Sequence, residues 1–288
     1  MRGACSLLGA SALAIASALA CAPSPPSPST PLVLASTTVL ADLAANVAGD
    51  RVRVESLVPA GAHVEEYAPR PDDAARVARA RLVLLNGLGL DRWAAALVRS
   101  TPATVVTLSD GLPTLGGNPH LWFDADLSRA YVTRIRDALS DLDPAGAAGY
   151  RDRASAYDGQ LAALDAELRA KVATLAPERR KLVTSHDAFP YLARAYGFTI
   201  VGFAQPEPDK EPSPAELAAL VGAIRAARVP VIFSEAGVSP RIAETLAREA
   251  GVAKVVSDLP TDSLQGPPAD TYPGFMRTVV GSIVEALR

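Results

Sequence analysis

Residues 147–176 read AAGYRDRASAYDGQLAALDAELRAKVATLA, a run without proline in which Leu and Ala recur at helical spacing. A single helix of that length spans roughly 45 Å at 1.5 Å rise per residue, longer than most globular helices. Its apolar stripe covers too few heptads to argue for a coiled coil. The stretch is therefore expected to be a spine packed across two lobes. Immediately upstream, residues 128–143, SRAYVTRIRDALSDLD, form a second amphipathic pattern that ends at Pro144.

On either side of these helices the pattern changes to short β-rich runs alternating with helical ones. Upstream, LVLAS (32–36), RVRVESLV (51–58), RLVLLN (81–86) and TVVTL (104–108) read as strands. VLADLAANVAG (39–49), DDAARVARA (72–80) and DRWAAALV (91–98) read as helices between them. Downstream, KLVTS (181–185), FTIVGF (198–203), VPVIFSE (229–235) and AKVVSD (253–258) repeat the arrangement, and residues 271–288 close the chain with a helix. Strands alternating with helices of this length predict mostly parallel sheets. The expected fold is α/β, with two pseudo-symmetric lobes joined by the spine: residues 32–125, linking helices over 126–178, and residues 179–288.

The chain of 288 residues is long enough for two lobes with their own cores. Its 49% hydrophobic and 20% charged residues describe a globular body. A net charge of −3 without a basic stripe gives no case for nucleic acid.

The N-terminus carries an address. Arg2 precedes an apolar run from about Leu7 to Ala20, then Cys21 and the proline-serine stretch APSPPSPSTP. This is the layout of a secretory signal peptide over residues 1–21, and the run is too short for a bilayer-spanning helix of roughly 20 residues. Ala18-Leu19-Ala20-Cys21 resembles a bacterial lipobox, with Ala18 where a larger aliphatic usually stands. Cys5 lies inside the signal, so Cys21 would be the sole cysteine of the mature chain; it is expected to carry a lipid, with residues 22–31 as a tether. The expected location is therefore exported, periplasmic or at the cell surface, and membrane-anchored.

The chain has three histidines, and each falls in a predicted loop. His63 follows the second strand, His120 lies in NPHLWFD after the fourth, and His186 directly follows KLVTS. Asp262 follows the last strand. Open α/β sheets bind ligands beyond the carboxyl ends of their strands, so two residues from each half can converge in a cleft between the lobes. The spacing matches no compact metal motif. A lone loop histidine is more often solvated or a cap: His186 could cap its helix, and Asp262 could be a turn residue.

The motifs are more specific than the spacing. LVPAGAHVEEYAPRPDDAARVARARLVLLNGLGLD, NPHLWFD, TSHDAFPYLARAYGF, FSEAGVSPRIAETLAREAG and TDSLQGPPADTYPGFMRTVVGSIVEAL together resemble the metal-binding receptors of ABC importers for zinc and manganese, the cluster 9 solute-binding proteins, over residues 32–288. The resemblance implies a metal site of His63, His120, His186 and Asp262 in the interlobe cleft, and no enzymatic activity. It implies zinc as cargo, with manganese as the alternative, and a membrane permease as partner, a metal-donor protein being a further possible one. A monomer with small, local closure is expected. Three imidazoles and a carboxylate suit tetrahedral zinc, whereas manganese prefers more oxygen and higher coordination.

The chain departs from the family at its first histidine. The family places one residue between that histidine and an aromatic, but here Val64, Glu65 and Glu66 precede Tyr67. Glu65 or Glu66 is thereby a candidate to join the site, and Asp258 competes with Asp262. No histidine-rich loop is present: GLPTLGGNP, in that region, contains none. Two further readings are an exported zinc hydrolase, which needs Glu65 or Glu66 as general base, and an adhesin, which needs a binding surface independent of the metal.

Overall fold

The computed structural model describes residues 30–99, 101–205, 212–236 and 239–288. The signal segment, Cys5, Cys21 and nearly all of the tether lie outside the described residues. Strand β1 (Leu32–Ala35) is apolar along its whole length and buried on both faces, as expected of a strand inside a parallel sheet. It pairs in parallel with β2 (Arg53–Ser56) on one side and with β3 (Leu82–Leu85) on the other, and β3 pairs with β4 (Thr104–Thr107). The order is β2-β1-β3-β4. The connections are α1 (Thr38–Ala48), α2 (Pro71–Arg79) and the single turn α3 (Ala94–Val98).

Local chemistry fixes several helix ends. Thr37 caps α1 by accepting a hydrogen bond from Leu40 N at 3.1 Å, and Gly49 terminates it at φ 62°. Pro71 occupies the first position of α2, where its missing N–H costs nothing. Asp124 caps α4 (Ala125–Leu142) by accepting from Asp126 N.

The predicted spine is α5 (Ala147–Ala173). Tyr150, Ala154, Tyr157, Leu161, Leu164, Leu168 and Val172 are buried at steps of three or four residues, which places them on one face. That face packs against α4, α1 and the C-terminal helix α9 (Tyr272–Leu287). The same hydrophobic cluster takes in Val33 of β1, Leu182 of β5 (Lys181–Thr184) and Phe233 of β7 (Val231–Glu235), so the spine joins one core reaching into both halves.

In the second half β5 pairs in parallel with β6 (Thr199–Phe203), and β7 with β8 (Lys254–Leu259). These are two separate two-stranded sheets; β5 and β7 lie close to one another, which gives a spatial order β6, β5, β7, β8 without a hydrogen-bonded ladder between the two pairs. Helices α6 (Pro190–Tyr196), α7 (Pro214–Ala227) and α8 (Arg241–Ala250) connect them. The two-lobed parallel α/β architecture with a long helix is the expected one. Among the described residues, no helix is long and apolar enough to cross a membrane.

Candidate metal site

His186 sits two residues beyond β5, between that strand and α6. The helix begins at Pro190 with Phe189 at its N-cap, so His186 does not cap it. Its ring is held instead by Glu235, the last residue of β7. Nδ1 of His186 lies 2.6 Å from Glu235 Oε2, and the backbone N–H of His186 donates to Oε1 at 3.0 Å. Thr261 Oγ1 donates to Oε2 at 3.1 Å. Glu235 is 1% exposed, a buried carboxylate whose partners among the described residues are His186 and Thr261.

His120 is fixed in the same manner from the other lobe. Its Nδ1 lies 3.0 Å from Asn118 Oδ1, which also accepts from the His120 backbone N–H at 3.0 Å. An amide oxygen only accepts, so the ring proton is on Nδ1 and Nε2 presents its lone pair. Asn118 in turn donates to Asp187 O at 2.6 Å, tying the His120 loop to the His186 loop. Asn86, in the NGLGL segment, donates to Pro119 O at 2.9 Å and supports that loop from behind.

With both rings anchored through Nδ1, the two Nε2 atoms face each other at 3.3 Å. Asp262 Oδ1 is 3.4 Å from His120 Nε2; it is buried and, among the described residues, has no hydrogen-bond partner. Ligating atoms of His120, His186 and Asp262 all lie within 4.8 Å of one another, and all three residues are buried. A first-row metal with bonds near 2.0–2.2 Å places its ligand atoms about 3–4 Å apart, so the three atoms are spaced to share one ion.

His63 stands at the open side of this group, its Nδ1 3.9 Å from Asp262 Oδ2 and its side chain 31% exposed. It falls outside the tight threesome. Glu65, one of the two glutamates expected as candidates to join the site, lies at its edge: Oε1 is 4.0 Å from His120 Nε2. Glu66 is exposed, as is Asp258, which lies on β8 at φ 65°. Asp258 is therefore no competitor for Asp262, which is 6% exposed within the site.

The electrostatics follow from this packing. Burial opposes protonation of His186, but the Glu235 hydrogen bond and charge, with Asp262 and Glu65 behind, push its pKa up to about 9. Burial alone would raise the Asp262 carboxyl; the His120 and His63 imidazoles beside it, and the charge of His186, hold it far below the usual carboxylate range. His63 is raised, chiefly by Asp262 against partial burial. The cleft is thus a carboxylate-rich pocket that attracts positive charge, whether protons or a cation.

Of the four residues expected from the sequence, His120, His186 and Asp262 lie together and His63 stands at their edge; Glu235 and Asn118 were not anticipated. The signals were present: a glutamate closing the otherwise apolar VIFSE strand, and an asparagine two residues before His120.

The family described as "ZnuA: Zinc-uptake complex component A periplasmic" matches residues 33–286. "Iron-binding protein YfeA" of Yersinia pestis is 35% identical over 265 residues, covering 88% of this chain and 85% of its own. "Manganese-binding lipoprotein MntA" of Halalkalibacterium halodurans is 34% identical over 264 residues, 88% of each chain. The structure of the periplasmic zinc-binding protein TroA from Treponema pallidum superposes with a TM-score of 0.83 at 29% identity, covering 90% of this chain and 99% of that one. The three relatives are named for three different metals.

Proposed function

This chain belongs to the family of periplasmic component A proteins of zinc-uptake complexes, and from that membership we propose that it is the extracytoplasmic metal receptor of an ABC importer, with zinc as its cargo. The observation that carries the proposal is the buried convergence of His120, His186 and Asp262 at the interlobe cleft, with ligating atoms within 4.8 Å. His63, 3.9 Å from Asp262, is the fourth ligand in this reading. Three imidazoles and one carboxylate satisfy tetrahedral zinc.

The chain's own groups prepare the site. Asn118 and Glu235 accept from the Nδ1 atoms of His120 and His186, which orients both Nε2 lone pairs into the cleft. The cation supplies positive charge at Asp262 Oδ1, which has no hydrogen-bond partner among the described residues. Uptake is then an exchange of protons for metal, and no covalent chemistry is involved. Small closure is expected, because the spine is packed into a core shared by both halves. Release takes place at a permease in the membrane, with the receptor held there through a lipid on Cys21.

Metal analysis of protein purified without chelator, followed by competition between zinc and manganese, tests the reading. One equivalent of divalent metal per chain, with zinc displacing manganese, is the expected result; no bound metal after reloading with either ion would overturn it.

A further inference from the structure

Val64 is fully buried in the core, and its backbone oxygen is held by Trp93 Nε1 at 2.8 Å. This pins the loop between its two neighbours, His63 and Glu65. Each neighbour brings a ligating atom to the edge of the metal group: His63 Nδ1 to within 3.9 Å of Asp262, and Glu65 Oε1 to within 4.0 Å of His120 Nε2. The second distance is at the upper end of the spacing of two ligands on one ion, and Glu65 stands just outside the group formed by His120, His186 and Asp262. Glu65 is only partly exposed, and the residue it approaches is one of the three buried ligand candidates. The loop tip is itself fastened to the other lobe, Gly61 N donating to Ser263 Oγ at 2.9 Å, next to Asp262.

We propose that Glu65 is a fifth, conditional ligand that lets the site accept manganese(II) or iron(II) as well as zinc. The proposal rests on the metal-receptor reading and refines which ions that site takes. Zinc is satisfied by four ligands and leaves Glu65 outside. Manganese and iron(II) prefer more oxygen and a higher coordination number, so they draw the Glu65 carboxylate in beside Asp262. The shell then holds three nitrogens and two anionic oxygens. The absolute order of affinities still favours zinc, as it does for most nitrogen and oxygen sites; Glu65 narrows the gap.

The test compares the full-length protein with Glu65→Gln and Glu65→Asp variants, measuring manganese and zinc affinities by competition with a chelator. Loss of a partner outside the ligand shell already costs about 10–100-fold, so Glu65→Gln is expected to weaken manganese by about tenfold or more while zinc stays within about twofold. Glu65→Asp, which keeps the carboxylate, is expected to recover part of the manganese affinity. Absorption of the cobalt(II)-loaded protein gives a second readout, shifting towards the stronger tetrahedral type in Glu65→Gln. An unchanged manganese-to-zinc ratio in Glu65→Gln, with the wild type binding both ions, would overturn the role of Glu65 and leave the receptor reading intact. Failure of the wild type to bind either ion would overturn both.

Discussion

Glu235 Oε2 lies 2.6 Å from Nδ1 of His186, and its other oxygen accepts from the backbone N–H of the same residue at 3.0 Å. One buried carboxylate therefore fixes both the position and the tautomer of a histidine contributed by a different strand. Second partners of this kind orient a ligand and raise its basicity.

Replacing Glu235 with Gln keeps the shape but turns one acceptor into an NH2 donor that must face a donor already in place. Metal affinity is expected to fall by about 10–100-fold with the fold retained. Chelator competition and circular dichroism on the same preparation check this; unchanged affinity would mean that Glu235 merely fills the core.

The raised pKa of His186 gives a pH signature with a definite sign. Its folded value is about 9 against 6.5 in the unfolded chain, so the stabilisation it gives the metal-free protein is complete below 6.5 and is lost as pH rises through 9. Metal binding needs the neutral ring. Between pH 7 and 8 uptake is thus expected to release about one proton from His186, seen as a dependence of the titration heat on the buffer's ionisation enthalpy. Over pH 6.5–9 the metal-free protein is expected to lose thermal stability while metal affinity increases.

The spine contributes stability and no ligand. Leu168 is fully buried on its packed face. Leu168→Ala is expected to destabilise the protein by about 2–5 kcal/mol in denaturant unfolding. Metal affinity of the folded molecule is expected to change by less than about threefold, since sites that share no partners act independently.

Much of this was legible from residue patterns because the physics is local. Apolar runs such as LVLA and KLVT mark buried parallel strands, and the three- and four-residue steps of the spine mark one helix face. The similar element order before and after the spine pointed to parallel pairing in both halves, but not to its division in the second half into the pairs β5-β6 and β7-β8. His63, His186 and Asp262 stood out because they follow predicted strand ends, and His120 because it lies in the NPHLWFD motif. What stayed hidden depends on a few ångströms of tertiary placement. Choosing between Asp258 and Asp262 requires knowing that the first lies on the exposed side of β8 and the second beyond it, inside the cleft. Glu235 reads as the polar end of a strand until β5 is seen beside β7. Glu65 and His63 share a loop whose path is set by the burial of Val64, and spacing alone does not show which of them nears the group of His120, His186 and Asp262.

The central claim is that His120, His186 and Asp262 hold a single divalent ion at the cleft. Isothermal titration of zinc into the metal-free wild type and into the His120→Ala, His186→Ala, Asp262→Ala triple variant tests it most directly. One tight site per chain in the wild type and none in a folded triple variant is the predicted result. Tight binding of one zinc ion by the triple variant would contradict it.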